Sequence, residues 1–388
     1  MKKILFLSHE ATLTGAPIFL LRLVQFLDSS KEYKFFILFN NSGELLQDFQ
    51  NHGKTMVLSN LNSKKSWLTK LLIRFFPLYT LRNILYRLRI RFFQPDIVIS
   101  NTIANSDLIP FINQLNKLKV ITIVHEMKSW IRQAEKLKFF DVSKSISITS
   151  HFIAVSNSVK KNLLSEFQIS ESDITMIYNN NNDFKPQTIS KDEMLKWKKK
   201  NNIPENSFIV GSCGSLIWRK GPDIFISILK RFKYKFPNQK IFFLWQGGNL
   251  KSSFFIDIEN EINQLSLAKH ISVLPFSKNT HFFYNAIDIY ISTAREEPFG
   301  LTLLEAGLYK KPCIAFEKSG GPDEILSNNR GCLVPYGDND KAADAIFNFI
   351  HNKNSLKKLS AAINKFVIEN NSKNTFLNYK EIIDSFIK

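Results

Sequence analysis

Acidic residues are scarce in this chain: 34 Asp and Glu stand against 52 Lys and Arg, a formal net charge of +18. Such an excess draws polyanions, whether nucleic acid, anionic lipid or an anionic substrate. Cysteine is scarcer still. Cys213, Cys313 and Cys332 are far apart and odd in number, which speaks against a disulfide framework or a zinc site and fits a reducing cytoplasm. No apolar run reaches the roughly 20 residues needed to span a bilayer. The opening MKKILFL mimics a signal peptide, but its apolar run stops at Ser8-His9-Glu10, too short for an h-region, and reads as a first strand. No repeat of 20–50 residues is visible. A G-x-G-x-x-G fingerprint and a Walker glycine spacing are both missing.

What is present is a globular composition, 44% hydrophobic over 388 residues, long enough for two domains. Strand–helix alternation runs twice. Apolar segments at Ile4–Ser8, Phe35–Phe39, Thr55–Leu58, Asp96–Ser100, Val120–Val124, Phe152–Val155 and Thr175–Tyr178 read as buried, mostly parallel strands. Between the first two, Leu20, Leu21, Val24 and Leu27 mark the buried face of a helix at Pro17–Leu27. An asparagine run, Asn179–Asn182, then opens a polar stretch of linker composition with one helix at Lys191–Lys200. The second series comprises Phe208–Cys213, Ile241–Trp245, Ile271–Leu274, Ile287–Ser292, Cys313–Phe316 and Leu333–Val334. The expectation is an α/β protein with a first domain over residues 1–190, a second over 191–370, and a last helix over 371–388.

The charge is concentrated. From Lys64 to Phe93 the chain carries eight Lys and Arg and no acid, interleaved with Trp, Phe and Leu. Leu81, Leu85 and Leu88 share a helical face, with Ile84 beside it, while Arg82, Arg87, Arg89 and Arg91 cover the rest. That is the composition of an interfacial helix at an anionic membrane. A helix packed on its own domain with a solvated basic face reads the same way. Nucleic acid is not favoured, since no binding motif accompanies the charge.

Five motifs carry chemistry. Glu297 to Tyr309 (EPFGLTLLEAGLY) places Glu297 and Glu305 eight positions apart around a Pro-Phe-Gly turn, ahead of a helix with Leu301, Leu304 and Leu308 on one face. Gly300 allows close backbone approach, and the helix's first N–H groups can hold an anion or a sugar hydroxyl. Gly214-Ser-Leu-Ile-Trp-Arg-Lys-Gly221 follows a strand and precedes a helix opened by Pro222, so Arg219 and Lys220 sit beside a helix N-terminus, a place for phosphate. Thr14-Gly15-Ala16-Pro17 follows the first strand; Gly15 permits a tight turn and Pro17 suits a first helical position. Val124-His125-Glu126 ends a strand, and His9 and Glu10 end another. Ser319-Gly-Gly-Pro-Asp-Glu324 repeats the loop-to-helix device, although a plain helix start would look the same.

The EPFGLTLLEA string resembles the sugar-nucleotide motif of the retaining GT-B glycosyltransferases of family 4, with their E-x7-E signature. The resemblance implies two Rossmann-like, doubly wound parallel-sheet domains facing across a cleft, with the last helix crossing back to the first domain. It implies that Glu297 contacts the transferred sugar, that Glu305 takes the ribose hydroxyls, and that the backbone of Phe299, Gly300 and Leu301 holds the sugar. It gives Lys220 to the donor phosphates. The family's Gly-Arg pair is replaced by Gly214-Ser215, so Arg219 is taken to supply the lost charge. Gly15 would face the donor phosphate, and His125 the transferred sugar. The expected donor is a nucleotide-diphosphate sugar, and the acceptor a glycan or a lipid-linked glycan of bacterial surface polysaccharide synthesis. No cofactor and no essential metal are expected, because Arg and Lys stand where an acidic D-x-D pair would hold a cation. The enzyme would be cytoplasmic and peripheral at the inner face of the membrane. The alternatives are another GT-B enzyme, such as a sugar-nucleotide epimerase or a phosphorylase, or a non-catalytic basic protein that binds membrane or nucleic acid.

Overall fold

The computed structural model describes residues 1–58, 78–112, 115, 118–137, 141–179, 184–277, 279–370 and 373–387. The chain divides into two units, Met1–Asn179 with Lys373–Lys388, and Asn180–Ser372. The division falls at Asn179, and Phe184 and Gln187 beyond it pack on the second unit. Phe184 stacks on His281, the Gln187 N–H donates to Tyr309 Oη at 3.0 Å, and Asn285 Nδ2 donates to the Gln187 carbonyl at 2.8 Å.

The first unit is built on seven strands: β1 (Lys2–Ser8), β2 (Tyr33–Phe39), β3 (Lys54–Val57), β4 (Ile97–Ser100), β5 (Lys119–Val124), β6 (His151–Ala154) and β7 (Ile174–Met176). They lie in the order β3-β2-β1-β4-β5-β6-β7, every pairing parallel. The near-continuous burial of β1, β2 and β4 explains their unbroken apolar runs, since helices cover both faces. Helix α1 (Gly15–Ser29) buries Phe19, Leu20, Leu23, Val24 and Leu27, with Leu23 in the place expected for Leu21. Its first residue is Gly15, so Pro17 stands third, not first.

Helix α2 (Leu78–Phe93) holds the described part of the basic stretch; residues 64–77 lie outside the described residues, as does the side chain of Arg82. The face turned to the core carries Tyr86 and Ile90, packed with Leu5, Leu7, Phe36 and Leu38; of the apolar face read from the sequence, the side chains of Leu81 and Leu85 lie outside the described residues. Tyr86 fixes the rotation: its hydroxyl donates to the Val57 carbonyl at 3.2 Å. Ile84, Leu88 and Phe92 consequently face outward, 50%, 43% and 83% exposed.

The second unit has six strands: β8 (Phe208–Cys213), β9 (Ile241–Gly248), β10 (Ile271–Pro275), β11 (Ile289–Ser292), β12 (Cys313–Phe316) and β13 (Cys332–Val334). Their order is β10-β9-β8-β11-β12-β13, again all parallel. Helix α3 (Lys191–Lys200) opens with a capping box between Ser190 and Glu193. Helix α4 (Pro222–Lys235) buries Phe225, Ile228, Leu229 and Phe232 against Trp245 and Phe243 of β9. Each such side chain stabilises the unit by about 1.5–3 kcal/mol relative to exposure. Helices α5 (Leu301–Leu308), α6 (Gly321–Leu326) and α7 (Lys353–Glu369) follow in order. The last, α8 (Lys373–Phe386), belongs to the first unit. Asp384 ties it there, accepting from Lys2 Nζ and from Tyr33 Oη, each at 2.7 Å. Among the described residues, no helix is long and apolar enough to cross a membrane.

Candidate active site

In an open parallel sheet, ligands bind beyond the strand carboxyl ends, where the strand order reverses. In the second unit that point lies between β8 and β11. The loops leaving these two strands carry the two strongest motifs, and the structure brings them together. Lys220 Nζ forms an ion pair with Glu297 Oε2, joining residues far apart in the sequence. Both side chains are largely buried, 18% and 12% exposed. Burial alone would raise the Glu297 pKa. The charges of Lys220 and then Arg219 outweigh it and hold the carboxyl below its ordinary value.

Backbone contacts lock the two loops. The Arg295 N–H donates to the Arg219 carbonyl at 2.8 Å, and Thr293 Oγ1 donates to the Gly221 carbonyl at 2.9 Å. Gly221 caps α4 at φ +69°, and a Cβ there would lie 2.1 Å from the Thr293 carbonyl oxygen, so only glycine fits. Arg219 Nη1 donates to the Glu296 carbonyl at 2.7 Å, which anchors part of its guanidinium on the loop from β11. Arg295 is engaged elsewhere: it pairs with Asp223 at 2.5 Å and lies over the Trp218 ring.

The loop after β12 joins the same constellation. The Glu297 N–H donates to the Ser319 carbonyl at 2.7 Å, and the Gly321 N–H to the Glu297 carbonyl at 2.8 Å. A Cβ on Gly321 would meet the Phe299 carbonyl oxygen at 2.1 Å. Ser319-Gly-Gly is thus more than a helix start: it is the backbone rail on which Glu297 rests. Gly300, at φ +110°, caps α5 and accepts from the Leu303 and Leu304 N–H groups. Leu301 is the first residue of α5, whose leading N–H groups lack intrahelical acceptors by geometry. Phe299 is buried behind the turn. On the second turn, Glu305 accepts from Tyr284 Oη at 2.7 Å. Burial, then the Glu305 charge, raises the Tyr284 pKa well above normal, so the phenol remains a donor.

The first unit also gathers groups at its strand ends. His125 follows β5, and burial pushes its pKa down to about 3, so the imidazole is neutral. Beside it, Glu126 accepts from Thr102 Oγ1 and from the His125 N–H at 3.0 Å. Burial raises its pKa to about 7 despite these donors. After β1, Glu10 accepts from Thr12 Oγ1 at 2.7 Å and Thr14 Oγ1 at 3.1 Å. Gly15 does not make the tight turn expected of it. It starts α1 without a positive φ, and a Cβ there would meet nothing within 4 Å. Among the described residues, no group of three or more His, Cys, Asp and Glu is placed to hold a metal ion.

The family described as Glycosyl transferases group 1 matches residues 193–366, and Glycosyltransferase Family 4 matches residues 14–180. This chain belongs to the group 1 glycosyltransferases. An uncharacterized glycosyltransferase of Methanocaldococcus jannaschii is 29% identical over 61% of this chain and 59% of its own length. A capsular polysaccharide biosynthesis glycosyltransferase of Staphylococcus aureus, CapM, is 23% identical over 52% of each chain. The chain therefore spans a little over half the length of these two relatives. Among solved structures, Anabaena HepE in complex with UDP-glucose superposes with a TM-score of 0.80 at 18% identity, covering 99% of this chain and 100% of HepE. With two all-parallel α/β units, the fold of this glycosyltransferase is GT-B.

Three residues bonded to the candidate site residues Glu305 and His125 escape motif reading. Tyr284 bonds Glu305 but sits in a helix without a signature. Asn101 is visible only as a polar residue directly after an apolar strand. Asn179 is hidden in an asparagine run of linker composition, yet it is 4% exposed and bonded to His125. Asn180–Asp183, the rest of that run, lies outside the described residues.

Proposed function

We propose that the chain transfers a sugar from a nucleoside-diphosphate sugar, with retention of configuration, to a glycan or lipid-linked acceptor in surface polysaccharide assembly. The observation that carries this reading is the Lys220–Glu297 pair at the sheet's switch point, beside Arg219 and the N-terminus of α4. Lys220 and Arg219 would bind the diphosphate and stabilise the charge that grows on it as the glycosidic bond breaks. Glu297 would hold the transferred sugar, and Glu305, oriented by Tyr284, the ribose. In front-face transfer the acceptor oxygen bonds to the anomeric carbon as the bond to phosphate breaks. The acceptor proton passes to the leaving phosphate oxygen. The relatives' names, glycosyltransferases of capsule and O-antigen biosynthesis, support this acceptor class.

The test is a panel of nucleoside-diphosphate sugars, read by thermal shift and by release of nucleoside diphosphate. A donor at 100 times its Kd stabilises by about 2.7 kcal/mol. Because cationic side chains take the place of a metal at the diphosphate, turnover is expected to survive EDTA. Loss on chelation, restored by Mg²⁺ or Mn²⁺, would contradict the cation-free clamp. No stabilisation by any donor would overturn the function.

Helix α2 supports a membrane location for the acceptor. Ile84, Leu88 and Phe92 form one outward stripe at i, i+4 and i+8, and Arg87, Arg89 and Arg91 are exposed around it. This amphipathic, wholly cationic surface suits the anionic inner face of a membrane, where a cytoplasmic enzyme meets a lipid-linked acceptor. Each cation contributes about 1 kcal/mol there, screened by salt. Co-sedimentation with anionic vesicles at low salt, lost in the Arg87, Arg89 and Arg91→Gln variant with donor binding intact, is the expected result. A wild type that stays in the supernatant would make the stripe a solvated helix face.

A further inference from the structure

Both ring nitrogens of His125 are engaged. Nε2 lies 3.3 Å from Asn101 Oδ1, and Nδ1 lies 3.2 Å from Asn179 Nδ2. Each amide is oriented by a second partner. Asn101 Nδ2 donates to the Ala16 carbonyl at 2.8 Å, which turns its oxygen to the ring. Asn179 Oδ1 accepts from Tyr379 Oη at 3.5 Å, which turns its nitrogen to the ring. An amide oxygen only accepts and an amide nitrogen only donates, so the imidazole is left one arrangement, a proton on Nε2 and a lone pair on Nδ1. Asn101, Asn179 and Tyr379 are 0%, 4% and 0% exposed, so these partners are not exchanged for water. Phe19 closes one side, its ring 5.3 Å from His125 and 5.2 Å from Tyr379.

We propose that Asn101 and Asn179 are positioning residues that hold His125 in one orientation and in the Nε2–H tautomer, with Tyr379 of α8 bracing Asn179. The proposal rests on the reading of His125 as the group near the transferred sugar. It makes His125 an uncharged donor: Nε2–H can pass from its long bond with Asn101 to a sugar hydroxyl, while Nδ1 stays occupied. Among the described residues, the titratable groups bonded into this network are Glu126, whose Oε2 takes the His125 backbone N–H, and Tyr379. The low pKa of His125 agrees with this, and its cause is burial.

The decisive measurement is ¹⁵N NMR of the full chain labelled in the histidine rings, with His125 assigned by its absence in His125→Gln. The wild type is expected to show a pyrrole-type Nε2 and a pyridine-type Nδ1, unchanged across the range in which a free histidine titrates, about pH 5–8. The two isosteric Asp variants should diverge. Asn101→Asp sets a carboxylate against Nε2–H, so the tautomer stays and the pKa rises. Asn179→Asp sets a carboxylate against the Nδ1 lone pair, so Nδ1 must take a proton. Amides with a merely structural role would change melting temperature without moving the spectrum in these opposite ways. Should Asn179→Asp not fold, Asn179→Ala removes the donor to Nδ1 and is expected to weaken the preference for the Nε2–H tautomer. In donor hydrolysis, Asn179→Asp should lower kcat at least about tenfold with donor KM within about twofold.

An Nδ1–H wild type, an ordinary titration of His125, or an unmoved spectrum in Asn179→Asp overturns the clamp. Changed spectra with unchanged kcat overturn its positioning role. If no nucleotide sugar is turned over by the wild type, the proposed function fails while the spectra still decide the clamp.

Discussion

The two units place their polar groups at the same topological position, the carboxyl ends of parallel strands, and hold them in opposite ways. In the second unit a carboxylate is kept charged by cations: Lys220 and Arg219 overcome the burial of Glu297. In the first unit an imidazole is kept neutral by burial and flanked by two amides. Charged groups suit a ligand that carries phosphate. Amides fix direction without adding charge, which suits hydroxyl groups. The difference also explains what each site shows in sequence. An anion site needs cations and glycines in one loop at a helix N-terminus, so its motif is contiguous. A neutral clamp needs single residues at strand ends and on distant helices, so it leaves no pattern.

The largest effect should come from breaking the charged site. Lys220→Met leaves Glu297 buried without its partner, and removing one member of a buried pair costs about 3–5 kcal/mol. The sign with pH should reverse. In the wild type the Glu297 pKa is depressed, so its contribution is present above the unfolded value and lost as pH falls through the folded one. In Lys220→Met burial dominates and the pKa rises, so the variant should regain stability on acidification. Urea unfolding across pH measures both. Matching slopes for the two proteins would mean that the pair does not govern Glu297.

Two glycines compare the units directly. Gly321→Ala forces a Cβ to 2.1 Å from the Phe299 carbonyl oxygen and should cost about 3 kcal/mol or more, with donor binding lost as the Glu297 rail shifts. Gly15→Ala has open space and a helical position, and should stabilise by about 0.5–1 kcal/mol. If Gly15 faces the donor phosphate, the same variant loses turnover while gaining stability. Equal effects in the two would show that the loop after β12 is not packed as described.

A smaller loss than that at Gly321 is expected on α5. Tyr284→Phe removes one hydroxyl from Glu305, and a hydrogen bond to a charged group contributes about 1.5–3 kcal/mol. Donor KM should rise about tenfold or more with kcat little changed. A fall in kcat alone would separate Glu305 from ribose binding.

Much of the fold was legible because its strands are buried on both faces. Phe208–Cys213 and Cys313–Phe316 match β8 and β12 residue for residue. Boundaries slipped where a polar residue, Asp288 or Gln246, interrupts the apolar pattern. Ile287 is core without being strand, and β9 runs on to Gly248. The E-x7-E string and the RKG loop were legible as separate pieces. Their ion pair was not, since nothing in either string says that β8 and β11 are neighbours. The rotation of α2 was not legible, because periodicity gives an apolar face without saying whether the core or the outside takes it. Tyr86 decided it through its bond to Val57.

The most direct test is calorimetric titration of the wild type, Lys220→Ala and Glu305→Ala with nucleoside-diphosphate sugars in EDTA. One donor is expected to bind the wild type stoichiometrically, with affinity falling roughly tenfold or more in each variant, as the loss of a charge-assisted bond dictates. Binding of equal strength in all three proteins, or to none, would contradict a donor site built on Lys220, Glu297 and Glu305.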